Sequence, residues 1–473
     1  MRGMSKKDAL ACQVSLGLFA GLLGIASTAH GAPIADGGGT NHDGVRAGSA
    51  AISQSGVTTN ITSTTTNNVI GWKDFSIKSG ETVQFDGGVT TGPNAKNYLN
   101  IVTGNVTSHI DGEMKGGNNV YIANTHGVIF GKDASVDVGN LYVTTQDLTG
   151  VDYSQAANSS KIGNGTVIDT PANGKAASSA KADVVSLVDN ASGKNLKAAK
   201  IVLEGRSVRI MNDENIQSSE VYTLANTDPL KVEAGGTKTV RPYTGYVHVG
   251  HTNTGVLPGD PLPTVGAGGK YKNLTQDNLY KLIGSEYELE HMELNKNYML
   301  RSDIALTGTH TPIGTSTDPF KGRFDGMFHK ISGLTFDTAH EGTSAEYVGL
   351  FGTTDGATIM NVGLKDANLS AVKYGGGLVG YAKGNTVISA VYNESTTSMG
   401  NGSSAGGLVG RLYESSLDNA YNSTPVSQGG ALVGEIDGGK IYAAYNSGTL
   451  VSGVNYAVYK VKGAASTQPT AIK

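Results

Sequence analysis

The sequence predicts an all-β protein: a right-handed parallel β-helix, or β-solenoid, with an N-terminal cap and one short helix near 275–285. The first observation is an echo 21 residues apart, in which Asn119-Val120-Tyr121-Ile122 returns as Asn140-Leu141-Tyr142-Val143. The second is a glycine-flanked repeat in the last third of the chain. The third is composition: 67 glycines, 16% charged residues and only 38% apolar residues over 473 positions. Short strands that recur at a coil-length period wind into a rod, because no single repeat can bury its own apolar face. A thin column needs less apolar material than a globular core of the same length.

Residues 1–32 read as a secretion signal. Arg2, Lys6 and Lys7 form a basic head, Val14 to Ala26 is apolar or small, and Ala29-His30-Gly31 offers a cleavage site. The apolar run is too short to span a bilayer comfortably, which disfavours a membrane anchor. The one cysteine, Cys12, lies inside this segment, so the mature chain carries none. That suits a chain that must thread a pore unfolded, since a disulfide loop would jam there. Residues 33–150 pass from a polar Ala/Gly/Ser/Thr/Asn lead into firm alternation, with strands at Val69 to Phe75, Thr82 to Phe85, Leu99 to Val102, Val120 to Ala123, Val128 to Phe130, Val136 to Val138 and Leu141 to Thr144. Residues 151–265 continue the strands more weakly, at Val184 to Val188, Ile201 to Leu203 and Ser207 to Ile210. Five prolines between Pro229 and Pro263 place a boundary near 255–270. Residues 266–310 form a connecting segment, with the helix over Asp277 to Ile283.

Residues 311–455 hold the glycine-flanked repeat. Val348-Gly349-Leu350-Phe351-Gly352 is followed by Gly376-Gly377-Leu378-Val379-Gly380, Gly406-Gly407-Leu408-Val409-Gly410 and Gly430-Ala431-Leu432-Val433-Gly434. The last three copies each lead to a Tyr-Asn pair: Tyr392-Asn393, Tyr421-Asn422 and Tyr445-Asn446. The first copy has Gly363-Leu364 there instead. Stacked at about 4.8 Å, the tyrosines should lie ring on ring and the asparagines should form ladders. Residues 456–473 read as a frayed tail.

Few residues point to chemistry. Gly375 to Gly380 satisfies G-x-G-x-x-G, but strand-like residues follow it where a dinucleotide fold needs a long helix. His248 and His251 would face opposite sides of a strand as surface residues, with no partner set for a metal. Asp318, Asp325 and Asp337 could share a coil face and hydrolyse a glycoside or hold calcium, although Phe324-Asp325-Gly326 reads more simply as a turn. Trp72 fits core packing better than an exposed anchor. The mild acidity and the lack of a basic block argue against nucleic acid. No cofactor, no metal and no catalytic residue is expected.

Residues 35–150 resemble the secretion domain of filamentous haemagglutinin-like, two-partner secretion exoproteins. The segments that carry the likeness are Val69 to Ile77, Tyr98 to Asn105, Ile110-Asp111-Gly112 and Ile122 to Gly131. Asn124-Thr125-His126-Gly127 stands where the family usually has Asn-Pro-Asn-Gly. Residues 310–450 resemble GLUG-motif repeats of bacterial surface proteins, with Ile313-Gly314 and Pro319 to Gly326 as the segment that often precedes them. The resemblance implies export through a separate outer-membrane two-partner transporter, with the rod winding outside. Its recognition candidates are Trp72, Leu99, Asn100, Val102, Thr103, Gly104, Asn124, Gly127, Val128, Phe130 and Gly131.

The expected protein is therefore a secreted or surface-exposed haemagglutinin-like adhesin that meets a host or bacterial receptor, glycans included. It is not an enzyme and has no integral membrane segment once the signal is gone. The rivals are a β-helical polysaccharide-acting enzyme, which needs Asp318, Asp325, Arg323 and Lys321 in one cleft, and a secreted competition toxin. At 473 residues the chain is short for such an exoprotein, which points to a truncated or released form.

Overall fold

The computed structural model describes residues 32–38, 44–86, 95–163, 165, 167, 180–188, 193–226, 231–234, 237–240, 245–252, 262, 264–336, 346–369, 373–395, 404–426, 429–448 and 458–462. The secretion signal and Asp337 lie outside them. The described chain is an all-β solenoid whose strands pair mostly in parallel.

One coil face runs through Asn67–Asp74, Asn97–Val102, Glu113–Ala123, Ser135–Thr144, Lys200–Gly205 and Glu220–Ala225, each parallel to the next. The echo is in register: Asn119 opposes Asn140, Val120 opposes Leu141 and Tyr121 opposes Tyr142. A second face, of 16 strands among the described residues, begins at Ser108–Ile110 and reaches Lys440–Tyr442. It crosses the proline-rich region without a break, because Val247–His251 pairs directly with Leu279–Ile283. The strand Val458–Lys462 stacks in parallel on Val433–Asp437, so the column extends into the segment read as a frayed tail.

The N-terminal cap is antiparallel. Ile34–Ala35 and Val45–Ala47 both pair with Asn67–Asp74, and Ala51–Ser55 forms a hairpin with Thr58–Thr62. Inside the column lie two apolar clusters. One gathers residues from Ala50 to Leu279, the other from Ile283 to Ile441.

In the repeat region Phe351, Val379, Val409 and Val433 stack in register, and the neighbouring Leu350, Leu378, Leu408 and Leu432 are buried. Tyr392, Tyr421 and Tyr445 align, as do Asn393, Asn422 and Asn446. The Tyr421 and Tyr445 rings are stacked 5.8 Å apart, and Asn422 Nδ2 donates to Asn446 Oδ1 at 2.9 Å. The exception in the first copy has a steric cause. Gly363 lies beside Tyr392, and a Cβ there would stand 2.0 Å from Cζ of that ring.

The helix expected over Asp277 to Ile283 is a strand instead. Only Gln276–Asn278 makes a helical turn, Leu279–Ile283 is extended, and the helix of this region is Glu286–Glu290. All five residues of Leu279–Ile283 are buried, on both strand faces. A five-residue run broken only by Lys281, whose ammonium is paired with Glu293, has no clear period to separate strand from helix.

Candidate functional site

The recognition candidates fall in two groups, and both are built into the coils. Trp72 is fully buried, and its Nε1 donates to Asn100 Oδ1 at 3.0 Å. Asn100 Nδ2 in turn donates to the Tyr121 carbonyl at 3.0 Å, linking three coils. Thr103 Oγ1 donates to Asp36 Oδ2 at 2.9 Å, which ties the first coil to the cap, where Asp36 also pairs with Arg46. Burial alone would raise the Asp36 carboxyl. The Gly38 N–H, Thr103 and Arg46 outweigh it and hold the group below its ordinary value. Gly104 is fixed by close approach, since a Cβ would lie 2.0 Å from the Lys73 carbonyl oxygen.

Asn124 organises the second group. Its Nδ2 donates to the Val106 carbonyl and to Ser108 Oγ, both at 2.9 Å, while its Oδ1 accepts from the His126 N–H. Gly127 closes this corner with φ +101° and Gly131 passes tightly over Asp111. Thus Asn124 does locally what a proline-stiffened turn would do elsewhere. Leu99, Val102, Val128 and Phe130 are buried. In the folded domain these eleven residues fix coil geometry and offer little outward surface.

Two ladders decorate the coils. Asn97 donates to Asn67, Asn119 to Asn97 and Asn140 to Asn119, at 2.8, 2.8 and 2.7 Å. Beside them the Tyr121 and Tyr142 rings stack 4.3 Å apart, 5° from parallel. The helix Ala156–Gly163 lies over this outer face, where Tyr121 OH donates to the Ile162 carbonyl at 2.8 Å.

A second site went unseen in the sequence. It lies on the outside of the continuous sheet, where the two apolar clusters meet. Here the pairing register steps along one strand: Val249 to His251 oppose Leu279 to Lys281, whereas Tyr298 to Leu300 oppose Lys281 to Ile283. Arg209, 1% exposed, donates through Nη1 to Tyr246 OH at 2.6 Å and through Nη2 to Asp183 at 3.0 Å. Its guanidinium sits 4.6 Å from the Phe328 ring. Asn361 Nδ2 donates to Tyr246 OH at 2.8 Å and to Asp325 Oδ1 at 2.9 Å. Asp325 Oδ2 takes a 2.7 Å bond from His248 Nδ1, and His248 is stacked against the Tyr246 ring.

Burial pushes His248 below its ordinary value, and the Asp325 bond only partly opposes this. Burial would raise Asp325, but the His248 bond, the charge of Arg209 and the Asn361 bond together hold it low. The dyad is therefore a neutral imidazole donating Nδ1–H to a carboxylate. Met327 and Phe328 complete the site with φ of +49° and +67°, a strained conformation for bulky side chains. His248 is thus a buried structural group, not a surface histidine, because the Asp325–Phe328 turn folds over it. The available sequence signal was Met327-Phe328 directly after Asp325-Gly326: two large apolar residues in a turn need something to cover.

Of the four residues of the proposed polysaccharide cleft, Arg323 and Asp325 share one face of a strand, and each of the four is engaged or placed differently. Asp325 is buried in this junction, Asp318 N–H caps onto Thr315 Oγ1, Arg323 Nη1 bonds the Asp277 carbonyl, and Lys321 is exposed. Among the described residues no group of three or more His, Cys, Asp or Glu could hold a metal ion, and no helix is long and apolar enough to cross a membrane.

Residues 38–154 match the TPS secretion domain family. Two heme/hemopexin-binding proteins of Haemophilus influenzae are similar in sequence. One is 32% identical over 116 residues, 24% of this chain and 12% of that protein; the other is 35% identical over 79 residues, 17% of this chain and 8% of that protein. The chain thus spans a small part of the length of the curated relatives it matches. Among solved structures, the crystal structure of the HMW1 secretion domain from Haemophilus influenzae aligns at 11% identity and a TM-score of 0.27, covering 89% of this chain and 98% of that one. The match at 38–154 covers the cap and the coils that hold Trp72, Asn100 and Asn124, so this chain carries a TPS secretion domain, and the route such a domain implies is export by two-partner secretion.

Proposed function

We propose that this chain is a haemagglutinin-like adhesin, delivered to the cell exterior by a dedicated outer-membrane transporter and acting there as a contact surface. The observation that carries this is the secretion-domain match on the capped end of a solenoid that continues far beyond it. Residues 311–455 would be GLUG-type repeats. Their outer faces would meet a receptor on a host or bacterial surface, with affinity built from extended area and multiple copies. No catalytic step is assigned. The buried setting of Asp325 and the separate contacts of Asp318, Arg323 and Lys321 support a binding role over polysaccharide cleavage.

Deleting residues 69–150 from the full chain in its own bacterium tests the export half. The truncated chain should stay in the periplasm, and its normal arrival outside would refute the route. For the adhesive half, cells that make the chain without residues 346–446 should lose attachment while still exporting the remainder. Undiminished attachment to every surface that the intact chain recognises would refute that role.

A further inference from the structure

The hairpin of the cap has an edge that no other described strand covers. Ala51–Ser55 pairs with Thr58–Thr62 and, among the described residues, with no other strand. Four of its five residues are exposed, and Val57 at the tip is 61% exposed. Exposed edges are ordinarily guarded by lysine, proline, inward charges or bulges, because bare N–H and C=O groups will template another strand. Residues 51–62 read Ala-Ile-Ser-Gln-Ser-Gly-Val-Thr-Thr-Asn-Ile-Thr, with neither a charge nor a proline. The register in this hairpin is regular, with no bulge.

Hairpin geometry says which groups are on offer. Ser55 and Thr58 flank a two-residue loop whose first residue, Gly56, has φ +58°. Such a loop closes on a hydrogen-bonded pair, and bonded and non-bonded pairs alternate from there. Ser55, Ser53 and Ala51 therefore spend their backbone groups on the hairpin. Gln54 and Ile52 aim theirs at the free side, giving two N–H and two C=O groups in one row. Apart from Ile52, which packs against the core cluster, the side chains along it are small or polar, so recognition would rest on the main chain and tolerate many partner sequences.

We propose that Ala51–Ser55 is the strand to which an extended segment of the exporting partner adds, making the cap hairpin one sheet with its transporter. This rests on the export reading above. The partner is favoured over a second copy because the edge lies inside the matched secretion domain, at residues 38–154. The hairpin is also the most local strand pair of the cap, so it can form before the coils have wound. Until Thr82–Phe85 pairs with the far side of Thr58–Thr62, the hairpin stands alone and is marginal in water, and a strand added at Ala51–Ser55 would stabilise it. Binding and ordering of this segment would thus occur together.

The test uses the full chain in its own bacterium and measures the ratio of external to periplasmic protein. Gln54→Pro removes one outward N–H and leaves the hairpin's backbone ladder, whereas Gln54→Ala loses the same side-chain bonds to Gly56 and Thr59 and keeps that N–H. The exported ratio should fall about tenfold for Gln54→Pro relative to Gln54→Ala. Ser53→Lys places a charge on the exposed side without touching the backbone bonds, and should lower the ratio in the same direction even if the proline variant folds poorly. Equal export of all three variants, in a background where deletion of 69–150 blocks it, overturns the edge assignment and leaves the export route standing. Export that survives the deletion as well removes the route itself. Loss of self-association by Gln54→Pro on a sizing column, with export unchanged, would hand the edge to a second copy and also overturn the assignment.

Discussion

Asp325→Ala is the sharpest probe of how the two halves of the column are joined. The carboxylate accepts from His248 Nδ1, Asn361 Nδ2 and the Met327 N–H, all within 2.9 Å and all buried. Three buried donors lose their acceptor at about 1 kcal/mol or more each. The charge of Arg209 also loses a nearby counter-charge. The expected cost is about 3–5 kcal/mol, the range for breaking a buried ion network by removing one partner. Solenoids need not unfold in one step, so two probes are required. Urea titration followed by far-ultraviolet circular dichroism reports all coils, while emission from Trp72, the chain's one tryptophan, reports the capped end. In the variant, the dichroism should begin to fall at lower urea while Trp72 emission holds its original midpoint. Coincident curves within about 0.5 kcal/mol of the parent would refute the idea that this network couples the halves.

The remaining predictions concern the same junction and the secretion coils. The unfolded chain protonates His248 near 6.5, while burial keeps the folded value lower, so stability should decline as pH drops below 6.5 and level off once the folded value is passed. His248→Gln should flatten that slope in thermal melts. Asp325 contributes stability that is present above 3.8 and is lost only as pH falls through its depressed folded value. Asn119→Ala breaks two rungs of the asparagine ladder, at 2.8 and 2.7 Å, and should cost about 1–2 kcal/mol by Trp72 emission. Gly104→Ala drives a Cβ to 2.0 Å from a backbone oxygen and should cost about 3 kcal/mol, against little change for Gly150→Ala, which meets nothing within 4 Å. Trp72→Phe loses the 3.0 Å bond to Asn100 and should lower the thermal midpoint by an amount matching about 1–2 kcal/mol.

What the sequence made legible was whatever the coil repeats. The echo of Asn119 to Ile122 in Asn140 to Val143 states a register, and that register is the one formed. The Leu-Val pairs between glycines state which face is buried. Even the lapse at Gly363 is lawful once Tyr392 is placed over it. Periodicity failed where burial was two-sided, as at Leu279–Ile283, and where the chain folds across its own coils. Arg209 sits between Val208 and Ile210, and His248 between Val247 and Val249, so alternation sends both outward. Outward normally means solvent. Only the turn at Met327 and Phe328, more than 75 residues from His248, makes it mean buried.

That difference in reach has a consequence for assembly. Ladder bonds between Asn67 and Asn140 close over 21 to 30 residues, about one coil at a time. Each can form as soon as the next coil exists, and each adds buried strand face to the column. The junction is of another kind: His248 to Asp325 closes over 77 residues and Tyr246 to Asn361 over 115. Loop closure over such spans is paid for only when the intervening coils are already in place. A chain that emerges from its N-terminus would therefore stack the secretion coils first and seal the junction last. Before sealing, Arg209 and Asp183 have solvent and each other, so neither of these two charges is left buried and unpaired. After sealing, Asp325 and Asn361 bind the later coils to the earlier ones through groups that no shorter fragment could supply. The strained turn at Met327 and Phe328 is then the cost of reaching back across the sheet, and the network it completes is what makes one rod of two cores.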